Sequence, residues 1–498
     1  MMLMQPSARM ATLAPKIVSG KRCIGVVLLV GFVFWHGLCG STALPAGAAE
    51  NVVFHRSGCD ISSAVAAALC CNGASPKGCC RLLPNVARQF IFDEQTAALL
   101  RAYHVILIPG GEFDAASELL RYCDNGTLPV ELTGFFARNP TTQRDVEEFL
   151  NRYICAEPDA LRALYDTVLG TFRAYEAELA AQGIATTRLD YFSPDGPTRI
   201  GDRIGKLDLI ARTIEELDNG TRQFILIGHS FGGLNICDFL VELLGGHRPG
   251  MPEWKFFSRT RVRSWSDAYK ASVLSKIAAA VFLNTFVQGN LSNEQRLKKK
   301  AAEAGLTDPD PVGRYITRVL AAGADDSVST ETFLADDITH LVLITARYRT
   351  RYYLAGYNTP DGSFTPAVQD ALDAVATRVP LVSFCCRVPP VAPFVRVGIN
   401  LLVYKSKQKW DAEHRANDGA VNTYGGIFPH PKARYAVFNN MDHGTLVMQP
   451  ELSLITSGST YDQVPFIRTL LAVVAQQLST LSQNKGGRYS FALSPPCQ

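Results

Sequence analysis

The chain is short of charge for its size: Asp, Glu, Lys and Arg make up 19% of its 498 residues, and no low-complexity tract interrupts it. It lacks the basic face or stripe that a nucleic-acid footprint needs. Lys298-Lys299-Lys300 reads as the wet side of a helix. It also lacks any C-x-x-C pair, which argues against a zinc-organised fold. Past residue 48 no run is long and apolar enough to cross a bilayer. What is left is a chain, 47% hydrophobic, large enough to bury a substantial core. Length alone suggests about three domains, a prior that α/β chains with insertions often exceed.

The first 48 residues stand apart. Arg9, Lys16, Lys21 and Arg22 precede an uncharged run from Cys23 to Cys39, and small residues then cluster at Ala43 and Ala46-Gly47-Ala48-Ala49. Basic, apolar and small-residue zones in that order describe a signal peptide, so a secreted chain or one in the secretory lumen is expected. The alternative is an uncleaved signal anchor and a single-pass membrane protein. As a helix the 17-residue run would span about 25 Å, slightly short of a membrane core. Loss of residues 1–48 takes four positive charges and no negative ones, moving the net charge from +3 to −1. The overall basicity belongs to the leader.

Of thirteen cysteines, eleven lie beyond the leader. Five of these crowd residues 49–100 (Cys59, Cys70, Cys71, Cys79, Cys80), and the rest are Cys123, Cys155, Cys237, Cys385, Cys386 and Cys497. In an oxidising compartment they read as a disulfide framework with at least one left over. Cys237, on an apolar helix face, reads as a buried thiol. Asn125-Gly126-Thr127, Asn219-Gly220-Thr221 and Asn290-Leu291-Ser292 are glycosylation sequons beside turn-like sequence, expected to face solvent.

The most informative segment is Phe224-Ile225-Leu226-Ile227-Gly228-His229-Ser230-Phe231-Gly232-Gly233. An apolar strand-like run empties into Gly-x-Ser-x-Gly, and Leu234, Ile236, Phe239 and Leu240 continue at helical spacing. This is the form of a nucleophile elbow, a strained strand-to-helix turn that lifts a serine hydroxyl above a buried sheet. Glycines two residues either side relieve the crowding where strand and helix pass.

A serine hydroxyl needs a base to take its proton during attack, and histidine suits by its pKa. In elbow folds the chain order is serine, acid, histidine. His443 fits best, in the loop that follows the strand-like Tyr435–Asn440, at the edge where open α/β sheets collect their ligands. His430, between two prolines, is its main rival, and His414 is weaker. His104 and His340 start strand-like runs, where a core or edge role is more ordinary. Asp418, 25 residues before His443 in a turn-forming Asn-Asp-Gly, is the candidate acid. Asp411, Asp361 and Asp337 rank below it. An oxyanion would be met by the backbone N–H of Phe231 and by a second donor in the loop after the strand at 103–108, for which Gly111 is the choice.

Around this site the chain alternates strand-like and helical segments. Strands are expected at 103–108, 183–189, 224–227, 277–283, 340–344 and 435–438. Helices are expected near 142–154, 159–182, 203–217 and 466–481. That alternation specifies a mostly parallel sheet covered on both faces. Residues 50–100 read as irregular. The regions 287–335 and 347–410 do not fit and read as cap or lid insertions, with residues 101–498 forming one domain. Residues 311–320 form an amphipathic helix that is either a lid, opening towards lipid, or an ordinary packed element.

Together these segments resemble the α/β-hydrolase lipases, nearest in motif to the large secreted bacterial triacylglycerol lipases with an extended cap. That family carries His-Gly at a strand end, Gly-His-Ser-x-Gly-Gly, an Asn-Asp-Gly-x-Val-Asn-Thr acid loop, and Asp-His. This chain has Gly228 to Gly233, Asn417 to Thr423, and Asp442-His443. The resemblance covers mainly 101–115, 183–285 and 408–480. It implies the α/β-hydrolase fold and a nucleophile, acid and base at Ser230, Asp418 and His443. It also implies hydrolysis of carboxylic esters of lipids at a lipid–water interface, with no cofactor and no obligate protein partner. A phospholipase A1 or lipid acyltransferase would share that triad. An inactive scaffold serving as a binding protein is the alternative of another class. Two departures stand out. Pro109 replaces the family's histidine before the oxyanion glycine. Residues 444–449 lack the carboxylates with which the family holds calcium, so no calcium is expected there. Its zinc ligands have no match either.

Overall fold

The computed structural model describes residues 52–56, 92–110, 171–189, 203–248, 250–257, 265–303, 310–325, 337–359, 362–365, 367–387, 418, 420–430, 433–439, 443–444, 446–447 and 463–485, with single positions between. The elements begin with β1 (Val52–Arg56), α1 (Glu94–Leu100), β2 (Tyr103–Ile108), α2 (Arg173–Ala181), β3 (Ala185–Arg188), α3 (Arg203–Leu217), β4 (Gln223–His229) and α4 (Phe231–Leu243). There follow α5 (Pro252–Phe257), α6 (Asp267–Ser275), β5 (Ile277–Leu283), α7 (Leu291–Glu303), α8 (Pro311–Ala324) and α9 (Asp337–Leu343). The chain continues through α10 (Ala346–Tyr348), which runs into a π-turn at Arg349–Tyr353, then β6 (Tyr357–Asn358) and β7 (Phe364–Thr365). It closes with α11 (Gln369–Arg378), β8 (Leu381–Arg387), a 3-10 turn at Thr423–Gly426, β9 (Arg434–Asn439) and α12 (Gln463–Lys485).

One sheet of order β1-β9-β8-β5-β4-β2-β3 organises these elements, while β6 and β7 pair separately. All its neighbours run parallel except β1, which lies antiparallel on β9 from Val52 opposite Phe438 to Arg56 opposite Arg434. The period-2 geometry of a strand sends alternate side chains to opposite faces. In β2 and β4, Ile106, Ile108, Phe224 and Leu226 join the core under α3, α4 and α6. Val105, Leu107, Ile225 and Ile227 join the core under α1, α2 and α12. A parallel sheet buried on both faces explains why these strands are nearly continuous apolar runs. This is the α/β-hydrolase fold. From β2 the chain steps outward to β3 and then returns to the other side of β2 as β4. That reversal opens a crevice at the strands' carboxyl ends, where such sheets bind ligands.

Three expectations need correction. The run His340–Ile344 is not a strand: it lies in α9 and the turn after it. A short apolar run cannot by its pattern be told from a buried helix. The missing strand is β8, Leu-Val-Ser-Phe-Cys-Cys-Arg, which sits between β5 and β9 inside the stretch read as the 347–410 insertion. Ser383, Cys385 and Cys386 diluted its apolar signal, though all three are buried. Residues 50–100 are not wholly irregular, since they contribute β1 and α1. Of the helices expected at 142–154 and 159–182, the second contains α2. The remainder lies outside the described residues, apart from single positions.

The segment between β5 and β8 is fastened to α4 by a buried polar chain. Arg349 is fully buried, with Nη1 and Nη2 each 3.2 Å from Asp238 Oδ1. Its Nε donates to the Val287 carbonyl at 2.8 Å, and its guanidinium lies 4.1 Å over the Tyr353 ring. The Tyr353 hydroxyl is 3.2 Å from Asp238 Oδ1 and 2.9 Å from His247 Nε2, and His247 Nδ1 is 3.1 Å from Glu242 Oε2. Lys270 closes the chain on Glu242 Oε1 at 2.7 Å. Burial pushes the Glu242 carboxyl up, but His247 and Lys270 outweigh it and hold the group below its ordinary value. The amphipathic helix α8 buries Val312, Tyr315, Ile316, Val319 and Leu320 against its neighbours. Removing one partner of a buried ion pair leaves a bare charge, so Arg349→Leu is expected to cost about 3–5 kcal/mol in urea unfolding. An unchanged midpoint would contradict the fastening role.

Candidate active site

Ser230 sits at the junction of β4 and α4 with φ 52° and ψ −120°, a conformation that L side chains rarely adopt. Such a residue costs on the order of 1–3 kcal/mol and persists only where its surroundings dictate it. Here they do. Its N–H donates to the Leu283 carbonyl at 2.9 Å, and its carbonyl accepts from Thr285 Oγ1 at 2.8 Å. The hydroxyl makes no capping bond to α4.

The glycines explain how the turn closes. A Cβ on Gly228 would meet the Gly232 carbonyl carbon and the Gly233 nitrogen at 2.6 Å, so the expected strand–helix crowding is present. Gly232 has a further role. Its Cβ would stand 2.1 Å from the Ile108 oxygen and 2.5 Å from the Pro109 oxygen, so the exit of β2 rests on the first turn of α4. A Cβ on Gly233 would meet that of Thr285 at 2.7 Å.

The proposed acid and base meet. Asp418 Oδ2 lies 2.7 Å from His443 Nδ1, with the two side chains 2% and 8% exposed. The second carboxylate oxygen accepts the backbone N–H groups of Ala420 at 2.9 Å and Val421 at 2.7 Å. The backbones are joined as well, since His443 N donates to the Asp418 carbonyl at 2.8 Å. Asp418 therefore has one carboxylate oxygen committed to backbone and the other aimed at one imidazole nitrogen. Burial, and after it the nearby Asp418 carboxylate, push the Cys385 thiol well above its ordinary value, so that cysteine stays protonated and inert.

His443 is docked on the elbow through the neighbour of Ser230. His229 Nε2 lies 2.9 Å from the His443 carbonyl, and the two rings have centroids 4.8 Å apart at 44°. The rival His430 is engaged elsewhere, with Nε2 3.1 Å from Asp373 on α11. His104 bonds Thr187 in the sheet, and Asp337 and His340 belong to α9. His414, Asp361 and Asp411 lie outside the described residues.

Phe231 is the first residue of α4, so its N–H is one of the four that a helix cannot satisfy internally. The positive end of the helix dipole points the same way. Its ring stands edge-on to Phe286 at 4.8 Å, in a small apolar cluster with Leu234, Ile344, Ala420 and Val421. Gly111 lies outside the described residues, one position beyond Gly110. Among the described residues no cluster of three His, Cys, Asp or Glu side chains could hold a metal ion.

Sequence reasoning missed the segment after β5. Asn284 has φ 45°, takes the N–H of Cys386 on Oδ1 at 2.7 Å, and donates from Nδ2 to the His443 carbonyl at 3.0 Å. The one local signal was an Asn placed where an apolar strand ends, since Asn tolerates positive φ. Two further expectations change. Asn290 is 7% exposed and donates to the Ala420 carbonyl at 3.0 Å, so this sequon does not face solvent in the fold. Asn219 does, in an exposed turn. Cys237, Cys385 and Cys386 are buried thiols that form no disulfide, whereas Cys155 is disulfide-bonded.

No protein-family model and no curated protein sequence matches the chain. Among solved structures, the metagenomic carboxyl esterase MGS0156 is similar at a TM-score of 0.38 and 14% identity, over 91% of this chain and 99% of that one. EstA from Clostridium botulinum is similar at a TM-score of 0.31 and 14% identity, over 75% and 87%. Likenesses this distant carry no weight for function, which has to come from the site. The site's steric basis is open to test. Gly232→Ala is expected to lower stability by about 1–3 kcal/mol, read by thermal unfolding, and an unchanged Tm would mean that β2 does not press on α4.

Proposed function

We propose that the chain is a serine hydrolase that cleaves carboxylic ester bonds of lipids, acylglycerols foremost. The observation that carries this reading is the buried Asp418–His443 pair bonded to the strand end that presents a strained Ser230. In this mechanism Ser230 Oγ attacks the ester carbonyl while His443 takes its proton. Asp418 holds the imidazole in the tautomer that carries its proton on Nδ1 and stabilises the imidazolium as it forms. The N–H groups of Phe231 and Gly111 receive the oxyanion. His443 returns the proton to the leaving alcohol, then activates water to release the acid from the acyl-enzyme. The leader and the disulfide at Cys155 fit a secreted protein.

Ser230→Ala and His443→Ala should each lower kcat on a soluble aryl ester by at least about 10⁴-fold in protein that still folds, the second also at some cost in Tm because it leaves the Asp418 carboxylate buried without its partner. A folded variant with near-normal turnover at either position would overturn the assignment. A panel of triacylglycerols and phospholipids, each below and above its aggregation limit, should favour the acylglycerols. Preference for phospholipids would instead move the reading to a phospholipase A1.

A further inference from the structure

We infer that His229 and Asn284 are positioning residues of the reaction: together they clamp the backbone carbonyl of His443 and so fix the base over the elbow. The inference rests on His443 being the base, as proposed above. A carbonyl oxygen only accepts, so His229 Nε2, at 2.9 Å, must carry a proton and donate it. Asn284 Nδ2 donates to the same oxygen at 3.0 Å. The His443 N–H is bound by the Asp418 carbonyl and Nδ1 by the Asp418 carboxylate, so residue 443 is held on both sides of its Cα and on its ring. The clamp's two arms come from the two strands that flank the elbow. His229 ends β4 immediately before Ser230, and Asn284 follows β5 immediately after Leu283, whose carbonyl holds the Ser230 N–H. The base and the nucleophile are therefore referenced to the same two strand ends, and any shift of one is carried to the other.

Neither arm is explained by packing alone. His229 is fully buried with its ring tilted against the His443 ring, which restricts rotation of the imidazole it anchors. Asn284 occupies φ 45°, a conformation more easily held by Gly, yet uses both amide atoms: Oδ1 on Cys386 N and Nδ2 on His443 O. An amide is required there because Asp could not donate and Gly could do neither. Positioning at this level matters, since a misplacement of about 1 Å can cost on the order of 100-fold in rate.

The test compares His229→Leu, His229→Gln, Asn284→Asp and His443→Ala in the full chain, by kcat and KM on a soluble ester and by thermal unfolding. His229→Leu removes the donor, while Gln restores an N–H at similar reach. The expected result is a fall in kcat of about 100-fold for His229→Leu with KM little changed, substantial recovery in His229→Gln, and a comparable kcat loss in Asn284→Asp, which keeps its acceptor for Cys386. Folded His229→Leu and Asn284→Asp proteins with wild-type kcat would overturn the clamp. So would a Gln variant that folds but is no better than Leu. If His443→Ala remains active, the triad reading fails first. If it is dead beside a fully active His229→Leu, only the clamp fails.

Discussion

At Ser230 three stretches of backbone meet with no side chain between them, and the rest of the site depends on that contact. Gly228 lets the end of β4 touch the first turn of α4, and Gly232 lets the carbonyls of Ile108 and Pro109 press on the same turn. A methyl group at either place would stand well inside van der Waals distance of backbone. The contact brings the β2 exit loop, the free N–H groups of a helix start and a forced serine conformation to one point of the sheet. It is also the crevice that the strand order creates between β2 and β4.

The segment that follows β5 holds the remaining parts to this point. Asn284 and Thr285 bind the His443 and Ser230 carbonyls, and the Val287 carbonyl takes the buried Arg349. Gln288 donates from its backbone to Gly425 at 2.9 Å and from Nε2 to the Ile427 carbonyl at 2.7 Å, while Asn290 and Leu291 bind Ala420 and Asn422. One irregular stretch thus fixes His443, the Asp418 loop and the segment carrying Arg349 relative to the elbow. Its polar groups are buried, and an unpaired buried polar group costs about 1–3 kcal/mol. Each bond therefore specifies one arrangement of loops that would otherwise have many.

The elbow was legible in the sequence because its cause is steric and local: small residues at fixed spacing between a strand pattern and a helix pattern. The Asp418–His443 pairing was legible through chain order and the acid-loop resemblance. Most of the sheet followed from apolar runs, but β8 did not, because Ser383, Cys385 and Cys386 are small polar or thiol side chains that look indifferent until the sheet buries them. The run at 340–344 misled for the opposite reason, being apolar enough for a strand and buried as a helix. His229 fills the variable position of the motif, and Asn284 follows an apolar run with nothing else in the sequence to mark it. Their partners are 214 and 159 residues away, and bonds across such distances leave no local pattern.

The central claim is that Ser230 is a nucleophile activated by His443. The most direct test is covalent: a fluorophosphonate reacts with an activated serine without any assumption about substrate. The account predicts one adduct, mapped by mass spectrometry to Ser230, formed rapidly in the native chain and not in folded His443→Ala. No adduct on native protein, an adduct on another serine, or equal labelling without His443 would contradict it.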